Sequence, residues 1–194
     1  MRLPGGRTAL RTINRAHRWY AISNEDMLYT LSAFVHEPIR WIDAYGWRPL
    51  LEQEKLAAFW FYRNVGERMN IQGIPSDYTQ FEEFNREYER SRFATAPSGR
   101  RVADQALGVV GRWFPAPVRP VVRRVVVGLM DPPLRTAFGY REPRLLPYLV
   151  RGTLRARARV QRLGPARRRS YYDDPPKVRS YPGTQGDYGI ADFG

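Results

Sequence analysis

The stretch NEDMLYTLSAFVHEPIRWIDA, residues 24–44, decides the fold class of this chain. Its apolar residues recur three or four positions apart, the spacing that places side chains on one face of an α-helix. That face consists of Met27, Leu28, Leu31, Phe34, Val35, Ile39 and Ile42. Ser23 or Asn24 can cap the start of the helix, and Gly46 lies past its end. Pro38 should bend the helix, because proline removes one backbone hydrogen bond.

The same helical period continues along most of the chain, with no internal repeat. Further helices are predicted at about residues 7–20, 51–69, 77–92, 99–113, 117–130 and 143–162, and a short one can form at 132–138. Four consecutive aromatic residues, Phe59 to Tyr62, point around the axis of the helix at 51–69 and predict a central position for it. The fold class predicted is all-α, a bundle of about six to seven helices.

From about residue 164 the chain becomes rich in proline, glycine and charge, and the apolar period ends. Such a composition is typical of an extended or disordered segment. We therefore predict a helical domain at residues 1–163 and an extended tail at 164–194. The chain contains no cysteine, which excludes disulfides, thiolate nucleophiles and cysteine-ligated zinc. No apolar run is long enough to span a bilayer, so we expect a cytoplasmic protein or one at a membrane surface.

The net charge of +13 is spread unevenly. Residues 1–92 carry 13 basic and 12 acidic side chains, whereas residues 93–194 carry 19 and 7. A basic half suits nucleic acid or an anionic membrane. Nucleic acid is disfavoured, because 30 of the 32 basic residues are arginine, which genome composition alone can favour, and no nucleic-acid motif is present. The helix at 117–130 has valines on one face, typical of a membrane-surface helix or, as we favour, an outer bundle helix.

The chain has two histidines, and spacing alone gives no metal pair because they fall on different predicted helices. His17 shares a helix face with Leu10, Ile13 and Tyr20, while arginines line another face. A lone histidine on an apolar face is more often a packed, hydrogen-bonded residue than a ligand. His36 precedes the bend at Pro38, where a freed carbonyl can open space beside a cofactor or merely shape the packing.

Three runs of the sequence, taken in order, resemble the family of the MpaB-type oxygenases and the catalytic domain of the rubber oxygenases (latex clearing proteins). The runs are TINRAHRWYAISNEDMLYTLSAFVHEPIRWIDAYGWRPL at 12–50, EKLAAFWFYRNVGERMNIQGIP at 54–75 and FEEFNREYERSRF at 81–93. The similarity covers roughly residues 8–160. The resemblance implies an all-helical fold that binds haem b, with His17 as the proximal ligand of the iron. Relatives cleave carbon–carbon double bonds of isoprenoid chains with dioxygen.

On this resemblance, the partners are dioxygen and an unsaturated, apolar small molecule. Arg15 and Arg18, with Arg11 as a further candidate, can pair with haem propionates because guanidinium groups suit carboxylates. The second ring nitrogen of His17 needs an acceptor that fixes its tautomer. The residue types present suggest no catalytic side chain, so the catalytic residues stay unassigned.

Family members carry a helical segment before this histidine, whereas Met1 stands sixteen residues upstream of His17. We therefore expect a chain that lacks the N-terminal part of the domain and exposes apolar faces, with self-association or a complementary chain as the consequence. The leading hypothesis is a haem-dependent oxygenase. The alternatives are a non-catalytic helical interaction module or degenerate family fragment, and a basic module that binds nucleic acid or membrane through residues 100–169.

Overall fold

The structure is a computed structural model that describes residues 4–141 and 145–164. These residues form eight α-helices and one 3-10 turn, and none of them lies in a β-strand. The helices are α1 (Pro4–His17), α2 (Asn24–Tyr45), α3 (Glu52–Arg68), α4 (Tyr78–Arg92), α5 (Pro97–Arg112), α6 (Arg119–Leu129), α7 (Pro132–Ala137) and α8 (Leu146–Leu163), and the 3-10 turn is Ala116–Val118. The predicted all-α class is confirmed. The described residues form eight helices rather than six to seven, because the short segment Pro132–Ala137 is also helical.

The chain divides into two compact units. Of the described residues, the first unit holds 4–41 and 50–87, which include α1, α3 and most of α2 and α4. The second unit holds 42–49, 88–141 and 145–164, which include α5 to α8. Of the predicted tail at 164–194, residues 165–194 lie outside the described residues, so the boundary at 163/164 stays a prediction. None of the helices in the described segments has the length and apolarity needed to cross a membrane.

The core of the first unit is built around α2. The buried apolar side chains are Leu28, Leu31, Val35, Ile39, Phe59, Ile71 and Phe81. Four of these seven side chains come from α2, because its apolar positions repeat at helical spacing. α3 approaches α2 closely at Gly66, where a Cβ atom would collide with Leu31 and would lie 2.8 Å from Ile74 Cδ1. A glycine at this position lets the two helices pack at short range.

Side-chain hydrogen bonds fix the start of α2. The Ser23 hydroxyl oxygen accepts the backbone N–H of Asp26 at 3.1 Å, as predicted for a capping residue. Asn24 instead exchanges two hydrogen bonds with the backbone of Gln72, at 2.8 and 3.0 Å. This exchange ties α2 to the segment that follows α3, within the first unit.

The second unit is organised around α6, which packs against α5 and α8. At Gly128 of α6 an added Cβ would lie 2.8 Å from Pro147 of α8, so the contact needs a residue without a side chain. An ionic cluster on α5 ties further segments together. The Asp104 carboxylate accepts hydrogen bonds from Arg123 and from the Tyr140 hydroxyl, both at 2.5 Å. The hydrogen bond from Tyr140 is the largest cause that lowers the pKa of Asp104 below its ordinary value.

Two expectations about packing are wrong. α3 was predicted to be central, with neighbours on several sides, but Phe59 is buried while Trp60 and Phe61 are 46% and 63% exposed. Consecutive residues lie about 100° apart on a helix, so a core on one side can bury only one of them. The first helix ends at His17 rather than near residue 20, and Tyr20 is 71% exposed instead of sharing a packed face.

Candidate functional site

His17 is the last residue of α1, and its imidazole is half-buried. Its ring atom Nδ1 lies 2.9 Å from the backbone carbonyl oxygen of Ile13, one helical turn earlier. Since a carbonyl oxygen can only accept, this contact requires that Nδ1–H donates. In this tautomer the lone pair lies on Nε2. An iron ligand needs an acceptor for its second ring nitrogen, and for His17 the carbonyl oxygen of Ile13 is that acceptor.

The end of α1 is held in place by its neighbour in the first unit. Asn14, three residues before His17, donates from its amide Nδ2 to the carbonyl oxygen of Arg68 at 3.1 Å. Arg68 is the last residue of α3. The hydrogen bond positions the final turn of α1, and with it the imidazole, against the end of α3.

The arginines proposed as propionate partners flank this imidazole in the sequence. Arg11 and Arg15 lie on α1 and Arg18 directly follows it, and all three side chains are exposed. Exposed guanidinium groups can pair with carboxylates that reach the surface. Their position relative to a bound cofactor is untested, so their role stays a prediction.

His36 has different surroundings, in the middle of α2 with no exposed surface. Its ring lies edge-on to Tyr78 and Phe81, with centroid distances of 4.9 and 5.5 Å. Neither ring nitrogen has a hydrogen-bond partner among the residues that the structure describes. Burial is the largest cause that lowers the pKa of His36 from 6.5 to about 4, and the positive charge of Arg40 adds to it. The imidazole is therefore neutral near pH 7.

His36 belongs to a row of polar side chains between α2 and α4, which we call the polar seam: Ser32, His36, Arg40, Glu82 and Asn85. The Asn85 amide donates to the Ser32 hydroxyl at 3.0 Å, and Arg40 pairs with Glu82 at 3.3 Å. The other amide atom of Asn85, Oδ1, is buried without a partner among the described residues. The hydrogen bond and pairing with Arg86, together with the pairing with Arg40, outweigh burial and lower the pKa of Glu82.

Ser32 and Asn85 were not predicted from the sequence as polar members of the core. They are 53 positions apart, and spacing within one helix gives no information about which residue of a distant helix will face it. A signal existed nevertheless, because Asn85 lies four residues after Phe81 on the apolar face of its helix. An amide on such a face predicts a buried hydrogen-bond partner.

The described residues contain no group of three or more histidine, cysteine, aspartate or glutamate side chains that could hold a metal ion. A haem iron does not need such a group, because the porphyrin supplies four nitrogen ligands and the protein supplies an axial one. Both imidazoles have a ring nitrogen without a hydrogen-bond partner among the described residues, but His36 has no exposed surface, so only His17 combines such a nitrogen with the surface access that an iron ligand needs.

Comparison with known protein families shows the family of this chain. The sequence pattern of the catalytic domain described as "ER-bound oxygenase mpaB/B'/Rubber oxygenase" matches residues 6–163. The chain belongs to this family. The resemblance stated from the three sequence runs is therefore confirmed, and so is the oxygenase class of the family.

Three similar proteins come from fungi of the genus Penicillium. The chain is 30% identical over 134 residues to the ER-bound oxygenase mpaB' of Penicillium brevicompactum, covering 63% of this chain and 32% of that protein. It is 32% identical over 133 residues to the ER-bound oxygenase mpaB of Penicillium roqueforti (strain FM164), covering 62% and 45%. A second Penicillium brevicompactum protein, also named mpaB, is 26% identical over 134 residues, covering 58% and 34%.

This member of the mpaB/rubber oxygenase family thus spans about a third to just under half of the length of these relatives. No solved structure matches the chain. The family assignment accordingly rests on sequence, and the roles of His17, Arg15 and Arg18 stay predictions.

Proposed function

We propose that this member of the mpaB/rubber oxygenase family is a haem-dependent oxygenase that binds haem b through His17 and acts with dioxygen on an unsaturated, apolar, isoprenoid-like substrate. The observation that carries the proposal is the 2.9 Å contact between His17 Nδ1 and the carbonyl oxygen of Ile13. An imidazole that ligates iron almost always donates its other N–H to a carbonyl or carboxylate. The family supports the oxygenase class.

The surface next to His17 suits an apolar cofactor. Ile13 and Ile22 are 40% and 42% exposed, and Trp19 is 84% exposed. Exposed aromatic and branched side chains are costly in water, and a porphyrin plane or an apolar substrate would cover them. Arg15 and Arg18 would hold the carboxylate edge of the cofactor by charge-assisted hydrogen bonds. These residues fit the haem that the family resemblance implies.

A bound haem would supply a redox-active iron that reacts with dioxygen. The residues of this chain would position the iron and exclude water from it. His17 would hold the iron from one side, in an orientation fixed by Ile13. Isoleucine and tryptophan side chains would exclude water and accept an apolar chain. Cleavage of one carbon–carbon double bond by one dioxygen molecule gives two carbonyl groups, so the proposed overall reaction balances without an added reductant.

The test is a titration of the purified chain with hemin, followed by absorption spectroscopy. We expect saturable binding near one equivalent, with a shifted Soret band. The His17→Ala variant should lose this band shift. The matched control is His36→Leu, which removes the other histidine from the core and should keep the shift. A wild-type chain without a saturable Soret shift, or an unchanged shift in His17→Ala, would contradict the proposal.

A second candidate function is a non-catalytic helical interaction module, and the exposed aromatic residues of the first unit favour it. The rings of Phe34 on α2 and Tyr62 on α3 stack with centroids 5.8 Å apart, and Phe34 is 56% exposed. Trp60 and Phe61, which are also exposed, directly precede Tyr62 in α3. A partner protein could cover these rings. A chain that binds no hemin but forms a stable oligomer would support this function, and stoichiometric haem would favour the oxygenase.

A further inference from the structure

The helix α8 exposes an apolar stripe along its whole length. The stripe consists of Leu145, which directly precedes the helix, and Tyr148, Leu149, Ala156, Val160 and Leu163. At 3.6 residues per turn these six side chains fall within roughly a third of the helix circumference. Leu145, Leu149 and Leu163 are 75%, 67% and 89% exposed. Large apolar side chains in one exposed row are unusual for a protein surface.

The opposite face of α8 is the one that packs within the second unit. Pro147 and Ala158 are buried there, and Pro147 contacts Gly128 of α6. The stripe is therefore not the core side of a misassigned helix, because the core side is already occupied. α8 therefore has apolar residues on two faces, one packed inside the second unit and one exposed.

Arginines border the stripe. Arg155, Arg159 and Arg162 follow one edge of it at intervals of three or four residues, and Arg157 lies on the other edge. Between Leu146 and Leu163 the sequence contains no aspartate or glutamate. The helix therefore combines an apolar row with a purely cationic border.

This combination distinguishes between possible partners. In a second copy packed through the same stripe, arginines would meet arginines with no carboxylate on either helix to offset them. Nucleic acid would satisfy the arginines but would leave the central leucines against water or phosphate. The surface of an anionic bilayer satisfies both, because acyl chains accept the leucines and acidic headgroups attract the guanidinium groups.

We infer that α8 is a membrane-surface helix, which lies in the headgroup region of an anionic bilayer and inserts the Leu149/Leu163 stripe among the acyl chains. Long arginine side chains at the edges extend to the phosphates while their stems lie along the apolar region. This surface lies in the second unit and does not depend on whether the chain binds haem.

The first experiment measures binding of the full chain to vesicles by co-sedimentation. We expect binding to phosphatidylcholine vesicles with 30% phosphatidylserine to exceed binding to pure phosphatidylcholine by about tenfold or more, and to weaken at high salt. Leu149→Gln/Leu163→Gln and Arg155→Gln/Arg159→Gln should each weaken binding by at least about tenfold. Matched controls are Leu51→Gln/Leu56→Gln, exposed leucines of the first unit, and Arg7→Gln/Arg112→Gln, which lowers the charge equally.

The absence of cysteine permits a second, site-specific measurement. An environment-sensitive fluorophore on Leu163→Cys should shift to shorter wavelength when anionic vesicles are added. The same fluorophore on Gln161→Cys, exposed in the same turn but on the other side, should not shift. Both positions are exposed, so neither substitution removes a core contact.

Four results would overturn the inference. The first is an absence of binding to anionic vesicles, and the second is binding that the leucine variant leaves unchanged. The third is loss of a self-associated form, rather than of vesicle binding, in the leucine variant, which would assign the stripe to a second copy. Salt-sensitive binding to duplex DNA without vesicle binding would assign the arginines to nucleic acid and would also overturn it.

Discussion

The amide of Asn85 donates a hydrogen bond to the hydroxyl of Ser32 at 3.0 Å, inside the core of the first unit and across 53 positions of sequence. Neither side chain has exposed surface. The Ser32 hydroxyl donates in turn to the carbonyl oxygen of Tyr29 at 2.6 Å. A buried polar pair of this kind fixes which residues of α2 and α4 face each other, because another alignment would leave the buried Asn85 amide without its acceptor.

Removing the serine hydroxyl should expose this dependence. In Ser32→Ala the Asn85 amide stays buried without its acceptor. We expect the free energy of unfolding, measured with urea, to fall by about 1–3 kcal/mol. Ser32→Ala/Asn85→Leu should cost less than the sum of the two single changes, because no unpaired donor remains. Exposed Asn64→Ala is the control and should change stability by about 0.5 kcal/mol or less. Strict additivity of the two core changes would show that the pair is not coupled.

His36 should make stability depend on pH. Its pKa is lowered to about 4 in the folded chain from 6.5, so the unfolded chain binds more protons between these values. Stability should therefore fall as the pH is lowered from 7 towards 4, by about 3 kcal/mol in total if the full shift applies. The charges that face this imidazole are Arg40 on α2 and Glu82 and Arg86 on α4.

The His36→Leu variant separates this effect from other titrations. It replaces an unpaired buried imidazole with an apolar side chain, so stability at pH 7 should stay equal or rise. The variant should lose most of the slope between pH 6.5 and 4.5. Glu82, whose lowered pKa makes its contribution disappear only below its ordinary value of 4.5, should still act in acid. Equal slopes in wild type and variant over that window would show that another group is responsible.

Two glycine substitutions should have opposite signs. Gly66→Ala places a methyl group against Leu31 and Ile74, and we expect a loss of about 1–3 kcal/mol because the helices must separate. Gly108→Ala, in the interior of α5, meets no atom within 4 Å and should stabilise the chain by about 0.5–1 kcal/mol. Thermal unfolding of both variants is the measurement. A higher midpoint for Gly66→Ala would contradict the close approach at Gly66, and a lower midpoint for Gly108→Ala would contradict the open space at that position.

The arginines near His17 should contribute modestly to hemin affinity. Arg18→Gln and Arg15→Gln should each weaken hemin binding by roughly two- to fivefold, since exposed ion pairs are worth about 0.2–1 kcal/mol. Arg7→Gln, on the same helix but farther from His17, is the charge-matched control and should leave the affinity unchanged. Fluorescence quenching during hemin titration measures the three constants. A control that weakens binding as much as the other two would indicate general attraction rather than a specific pairing.

The sequence determined the fold class and most of the helix positions. Every predicted helix is present, and Ser23 caps α2 as expected, because helical periodicity and capping depend on residues within a few positions of one another. The family was also readable from three short runs, and the match over residues 6–163 confirms it. The interpretation of His17 as a ligand came from that resemblance, and its spacing alone favoured a packed side chain.

Only the tertiary structure decided which faces are buried and which polar groups meet. Consecutive aromatics on α3 predicted a central helix with neighbours on several sides, yet Trp60 is exposed because neighbours pack on one side of the helix. The contact between Asn85 and Ser32, and the unpaired imidazole of His36 beside it, required two distant helices to be brought together. Periodicity fixes the phase of each helix about its own axis. The partner that each face meets depends on how the helices pack, and local sequence carries no record of that choice.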